Sequence, residues 1–265
     1  MDEKKLISYW LFLLSVVFIF TTCGGGGGTG TGTGIGTATK QLGTTADDFG
    51  FGVAVDGSGN VYVTGLTGGA LDGNTNAGGP DIFLVKYDSA GKKQWTRQLG
   101  TSDYDAGHGV AVDGSGNVYV TGFTGGGLDG NTNAGNWDIF LVKYDSAGTK
   151  QWTRQLGTIT YDYGYGVAVD GSGNVYVTGF TFGGLDGNTN AGGGDIFLVK
   201  YDSAGTKQWT RELGTTADDY GYGPAVDSTG NIFVTGETRG GLDGNTNAGG
   251  GDIFLVKYDS AGVKQ

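Results

Sequence analysis

Four copies of the segment LDGNTNAG carry the side chains whose spacing comes nearest to a ligand site. In the first copy Asp72, Asn74, Asn76 and Asp81 stand at loop positions 1, 3, 5 and 10. The pattern returns at Asp129, Asn131, Asn133 and Asp138, at Asp186, Asn188, Asn190 and Asp195, and at Asp243, Asn245, Asn247 and Asp252. Oxygens at positions 1, 3 and 5, with glycines that permit a tight wrap, are how calcium loops present hard donors. Position 10 fits the usual closing carboxylate only loosely, and two carboxylates per loop give an expected calcium affinity that is weak, about 10⁻⁴ to 10⁻³ M. The same Asp and Asn residues also build Asx turns, which shape a loop with no metal at all. Both readings stand on the sequence.

Covalent catalysis needs a nucleophile beside a positioned base. His108 is the only histidine, Cys23 the only cysteine, and Ser58, Ser115 and Ser172 recur in turn segments. The pair Asp218-Asp219 offers two carboxylates of the kind glycoside hydrolysis uses, but acidic pairs in several copies argue for structure. Zinc lacks its usual His and Cys ligands. No enzymatic activity is therefore expected, and a hydrolase comes last among the functional readings. The formal net charge of −11 argues against nucleic acid, because phosphate neutralisation needs a Lys/Arg surface.

The elements that must position these residues repeat. DGSGN begins at Asp56, Asp113 and Asp170, with DSTGN at Asp227, and DIFLVKYDSAG begins at Asp81, Asp138, Asp195 and Asp252. A fixed step, about 57 residues here, means one supersecondary unit repeated. In the third copy Gly166–Asp170, Val175–Thr181, Ile196–Tyr201 and Gln208–Leu213 read as strands, rich in β-branched and aromatic residues and without helical period. Four-stranded antiparallel units repeated in this way predict an all-β fold, a β-propeller over residues 40–265 with repeats at 41–97, 98–154, 155–211 and 212–265. The small side chains of Val-Ala-Val belong next to the axis, so that strand is placed innermost and the Trp-bearing strand outermost. Ala38-Thr39-Lys40-Gln41-Leu42-Gly43 aligns with Trp95-Thr96-Arg97-Gln98-Leu99-Gly100, and the expectation is that this N-terminal strand closes the last blade. A truncated longer array is the other reading of the same ends.

The strings GVAVDGSGNVYVTGFT, LDGNTNAGG and DIFLVKYDSAG resemble the bacterial seven-bladed β-propeller (SBBP) repeat family over residues 41–265. The resemblance implies a propeller in a secreted or surface setting and implies no enzymatic activity. Four repeats depart from seven blades; a closed four-bladed ring and the pairing of two chains into eight both follow as options, the second making the chain a homodimer.

In such a blade the second-to-third loop and the link to the next blade emerge on one face, and the short hairpins on the other. More than half of the 27 acidic residues fall on the long-loop face, with Arg239 as the one nearby cation. The two central copies differ at Ser102/Ile159, Asp103/Thr160, Ala106/Tyr163, His108/Tyr165, Gly125/Phe182, Asn136/Gly193 and Trp137/Gly194, all read as in or beside the long loops. Diversity on one face suits recognition, with Trp137 as an exposed aromatic anchor and Phe182 and Arg239 as further candidates; loops on which nothing packs also drift freely, which is the other reading. The expected function is a binding module for a protein or carbohydrate partner, with a structural envelope spacer as the alternative.

The amino terminus reads as an address. Lys4 and Lys5, an apolar run from Leu6 to Phe20 and then Thr21-Thr22-Cys23 have the layout of a secretory signal. The segment 1–23 resembles a bacterial signal ending in a lipobox, with Cys23 as the lipidated residue of an exported, membrane-anchored lipoprotein. Cleavage without lipidation and an uncleaved anchor are the alternatives. Residues 24–39, rich in Gly and Thr, would be a flexible tether.

Overall fold

The computed structural model describes residues 39–265, which form four antiparallel sheets. The first contains β1 (Asp48–Val55), β2 (Val61–Thr67), β3 (Asp81–Tyr87) and β4 (Lys93–Leu99), in that order. The second contains β5 (Asp105–Val112), β6 (Val118–Thr124), β7 (Asp138–Tyr144) and β8 (Lys150–Leu156). The third contains β9 (Asp162–Val169), β10 (Val175–Thr181), β11 (Asp195–Tyr201) and β12 (Lys207–Leu213). The fourth has β13 (Asp219–Val226), β14 (Ile232–Thr238) and β15 (Asp252–Tyr258), three strands among the described residues. The repeats thus fold as blades. The signal segment, Cys23 and nearly all of the Gly/Thr-rich stretch lie outside the described residues, and no described helix is long and apolar enough to cross a membrane.

The short hairpins owe their shape to one aspartate each. In DGSGN, Asp56 accepts from the backbone nitrogens of Ser58 and Asn60, both at 2.9 Å, and from Asn60 Nδ2 and Tyr62 Oη at 2.8 and 3.0 Å. Gly59, at φ 80°, supplies the left-handed step that the turn needs. Burial opposes the charge on Asp56, yet these donors win and hold its carboxyl below the usual range.

β1, β5, β9 and β13 pack side by side as the innermost strands, where the small Val-Ala-Val residues were expected. The core lies between blades. Ile82 and Leu84 of β3 and Tyr62 of β2 meet Val118, Val120, Leu128, Phe140 and Val142 of the second blade, and equivalent residues fill the next two junctions. Each such side chain contributes about 1.5–3 kcal/mol when fully buried, so the continuous apolar IFLV run is a strand covered on both faces. On the β2 side its polar neighbour is satisfied: Thr64 Oγ1 donates to Phe83 O at 2.7 Å, and Thr121 and Thr178 repeat the bond.

The N-terminal segment lies on the first blade. Leu42 packs with Leu71, Phe83 and Val85, and no ladder joins Lys40–Gly43 to β15 among the described residues.

Candidate interaction site

The long loops begin with a single 3₁₀ turn, Leu71–Gly73 in the first blade, in which Asp72 takes the left-handed conformation at φ 52°. Each loop then folds down over its own sheet instead of standing clear of it. Leu71 is buried at 1 % exposure and Leu128 and Leu185 at 0 %, so the residue before each DGNTN belongs to the junction core. The loop is pinned to the outer strand. Asp72 accepts from Thr96 Oγ1 and pairs with Lys93, and Asp129, Asp186 and Asp243 pair with Lys150, Lys207 and Lys264. The acidic loops therefore have more cations than Arg239 alone. The lysines follow the distant hairpin in sequence, and only the downward course of the loop brings them within reach.

Most of the remaining loop oxygens are also engaged, the exceptions being Oδ1 of Asp81, Asp138 and Asp195, which are buried without a hydrogen-bond partner. Asn74 Nδ2 donates to Leu71 O at 2.7 Å, Gly78 N donates to Asn76 Oδ1 at 3.0 Å, and Asp81 Oδ2 accepts from Ala77 N and Gln98 Nε2, both at 2.8 Å. Asn131, Asn188 and Asn245 repeat the first of these bonds, Asn133, Asn190 and Asn247 the second, and Asp138, Asp195 and Asp252 accept from the loop backbone as Asp81 does. Burial raises the carboxyls of Asp81, Asp138 and Asp195. The residues at positions 1, 3, 5 and 10 thus serve separate hydrogen-bond networks. Among the described residues no group of three or more His, Cys, Asp or Glu side chains is placed to hold a metal.

A different set of residues converges. Each innermost strand breaks register with its neighbour at one residue: between Gly50 and Gly52, Gly107 and Gly109, Gly164 and Gly166, and Gly221 and Gly223. The extra residues are Phe51, His108, Tyr165 and Tyr222. A β-bulge re-aims a side chain, and here it aims four rings into one row across the blades. Phe51 stacks on His108 at 4.7 Å, His108 meets the edge of Tyr165 at 5.2 Å, and Tyr165 lies 5.8 Å from Tyr222. Phe51 and Tyr222, at its two ends, are exposed. Burial among rings pushes His108 down to about 4, which keeps it neutral at pH 7. Tyr222 is pushed up to about 12 by burial and by Glu237, to which it donates at 3.3 Å.

A second tier supports this row. Trp137, expected as an exposed anchor, is half-buried: it stacks on Phe123 at 4.5 Å and meets the edge of Tyr163 at 5.2 Å. Phe182 is exposed and meets Phe180 edge-on at 5.4 Å. Arg239 is exposed, bonded to Glu237 at 3.0 Å and poised over the Tyr220 ring. The differences between the central copies are partly packing exchanges. The second blade sets Trp137 with Gly125, and the third sets Gly194 with Phe182, where a β-carbon at Gly194 would lie 3.2 Å from Phe180. Ala106/Tyr163 and His108/Tyr165 fall within β5 and β9, not in loops. Alternation alone starts the inner strand of the third copy at Gly166, whereas β9 begins at Asp162, so the bulged row lies ahead of the stretch that alternation marks. Its signal was present as Gly-aromatic-Gly in three copies and Gly-His-Gly in the other.

Four successive blades, three of four strands and one of three among the described residues, with their innermost strands side by side, define a β-propeller repeat protein. The chain matches the β-propeller repeat family (SBBP) at residues 39–72, 94–129, 151–186 and 208–243, and it belongs to that family. It is 32 % identical over 182 residues to the regulatory protein FlaEY of Caulobacter vibrioides, a match covering 61 % of this chain and 19 % of that one. It is 29 % identical over 184 residues to an uncharacterized WD repeat-containing protein of Acanthamoeba polyphaga mimivirus, covering 58 % of this chain and 13 % of the other. The chain thus spans only a small part of the curated relatives it matches. A crystal structure of a protein of unknown function from Bacteroides caccae aligns with 82 % of this chain at 10 % identity and a TM-score of 0.44.

Proposed function

We propose that this chain is an interaction module that receives a protein or carbohydrate partner on the bulged aromatic row. The observation that carries the reading is the bulge itself, repeated in all four blades, with an aromatic or imidazole ring at each. Aromatic rings give large contact area at small entropic cost and dominate binding hot spots. Sugar rings and apolar peptide side chains both offer faces that stack on such a row. The carboxylate of Glu237, which accepts from Tyr222 at the end of the row, and the exposed Asp47 and Asp103 in the links that lead into β1 and β5 favour hydroxyl-rich or basic partners. An envelope spacer needs only a hydrated surface and gives no reason for the aromatic row. The names of the two relatives, a regulatory protein and a repeat-containing protein, accord with an interaction role and not with a hydrolase.

The test is affinity capture from bacterial envelope extracts, followed by calorimetric titration of each partner recovered. The double variant Tyr165→Ala/Tyr222→Ala should bind at least about tenfold more weakly, as expected for aromatic hot spots. Unchanged affinity would remove the row from the interface. The same proposal places the propeller at the cell envelope, tethered through lipidated Cys23, with calcium as an accessory ligand of the DGNTN loops. Palmitate labelling of the Cys23→Ser variant, and thermal unfolding with calcium or chelator, test these two additions.

A further inference from the structure

We propose that the two uncovered ends of the propeller are the halves of one junction, and that a second copy of this chain completes it head to tail into an eight-bladed ring. At the covered junctions Ile82, Ile139 and Ile196 are 2 % exposed, and Leu84, Leu141 and Leu198 are 1 % exposed. Their equivalents on β15, Ile253 and Leu255, are 93 % and 73 % exposed. At the other end Val53 and Val55 of β1 are 58 % and 57 % exposed, whereas Val110 and Val112 pack into the first junction. Each end is therefore one side of an interface that the chain builds three times within itself, from nearly the same residues.

The N-terminal segment, which is in no ladder itself, already lies against the first blade where the outer strand of a preceding blade would run. Lys40 lies against Gly91 as the equivalent Arg97 lies against Gly148, to whose carbonyl oxygen it donates at 2.6 Å. Leu42 packs on Leu71, Phe83 and Val85, as Leu99 packs in the first junction. Thr44 N donates to Asp48 at 2.5 Å, as Thr101 N donates to Asp105 at 2.6 Å. The fourth blade shows the reciprocal opening, a cavity of about 260 Å³ bordered by Thr238, Gly240, Leu242, Asp252 and Ile253. In the first blade Gln98 occupies this place, donating to Gly69 O and Asp81 and accepting from Leu71 N. Gln41 holds the corresponding position in the N-terminal segment. Lys264 bridges Tyr258, as Lys93 pairs with Tyr87, which sets the register in which Thr39–Gly43 of another copy would pair with the open edge of β15. Such strand addition covers an exposed sheet edge.

The internal junctions favour a second copy over closure within one chain. At the axis a β-carbon on Gly52 would lie 2.5 Å from His108 O, on Gly109 2.7 Å from Tyr165 O, and on Gly166 2.6 Å from Tyr222 O, so the inner strands are in contact already. At the rim Lys86 and Arg97 bond to Ser146 O and Gly148 O, and Lys143, Arg154, Lys200 and Arg211 repeat these ties. Turning each blade further, to carry β15 round to β1 of the same chain, would pivot on the glycines and pull the rim bonds apart. Two copies need each junction to turn half as far, and eight blades lie within the usual range of about four to eight. A head-to-tail contact of this kind closes into a ring when its rotation permits.

The experiment is sedimentation of the full chain, with cysteine cross-linking between separately tagged copies. Chains carrying Lys40→Cys are mixed with chains carrying Leu255→Cys, since the repeat register sets these two positions opposite each other; unmodified chain, with Cys23 alone, is the control. The expected result is a particle of twice the chain mass and a disulfide joining the two tags. Leu255→Asp should give single chains with an unchanged far-UV circular dichroism spectrum, because that residue is exposed in one copy. A single-chain mass for the wild type would overturn the proposal, and so would a disulfide formed only within the double variant Lys40→Cys/Leu255→Cys. Particles larger than two copies would overturn the closed ring.

Discussion

Leu141 and Leu255 occupy the same place in the same strand of identical sequence, DIFLVKY, and their environments are opposite. The first is 1 % exposed beneath the next blade, and the second is 73 % exposed. Nothing in the local sequence distinguishes them. The difference comes from the neighbour, as it must in a repeat protein whose units bury apolar surface only against each other. The sharpest way to break the comparison is Leu→Ala at both positions. Leu141→Ala should cost about 2–5 kcal/mol, the range for a leucine removed from a packed core. Leu255→Ala in a single chain should cost no more than about 0.5 kcal/mol. Urea unfolding at low protein concentration measures both, and equal costs would mean that β15 is covered in solution.

A second comparison sets the third blade against the first two. Gln98 and Gln155 each donate to a buried aspartate, Asp81 and Asp138. The third blade has Glu212 instead, with Oε1 accepting from Leu185 N at 2.5 Å and Oε2 buried without a partner. Burial, with Asp195 adding to it, pushes Glu212 up to about 7. A proton on Oε2 restores the donor that glutamine supplies in the other blades. The folded state then holds a proton that the unfolded chain releases above about 4.5, so stability falls as pH rises from there to about 7. Glu212→Gln should therefore stabilise the protein near pH 8 by on the order of 1 kcal/mol, after allowance for the group's partial exposure. Near pH 4 it should change little. Thermal midpoints at the two pH values decide it, and an equal shift at both would assign the effect to something other than the proton.

The blades were legible because their signals are local and repeated: period-two strands, Asp-Gly turns and the fixed 57-residue step. In the long loops the Asx turns at Asn76 and its equivalents were legible from the polar residues, and the way the loop folds onto its sheet was not. DGNTN reads equally as a ligand loop and as an Asx-turn loop, and neither reading shows the burial of Leu71 and its equivalents, which comes from the N-terminal segment in the first blade and from the preceding blade in the others. The aromatic row was hidden for a related reason. A bulge shifts register by one residue, and simple alternation starts the strand only after it. Glu212 is one conservative-looking exchange whose meaning depends on a buried aspartate on the adjacent strand.

The smallest effect lies in the row itself. Burial lowers His108 from 6.5 to about 4, while the unfolded chain takes up that proton near 6.5. Between these values the unfolded state binds more protons, so this contribution to stability is fully present above about 6.5 and is lost as pH falls towards 4. His108→Tyr, which installs the residue of the next blade, should remove this slope, worth at most on the order of 1 kcal/mol for a half-buried ring. Glu212 runs the other way over nearly the same window, gaining stability as pH falls. In the wild type the two slopes oppose each other. Glu212→Gln should leave a profile that rises with pH through this range, and His108→Tyr one that falls with it. Denaturant midpoints between pH 4 and 7 for the two single variants and the double variant measure both slopes. If His108→Tyr left the profile unchanged, the imidazole would have to be hydrated in the folded protein, and the bulged row more open at its centre than the stacking of Phe51 on His108 implies.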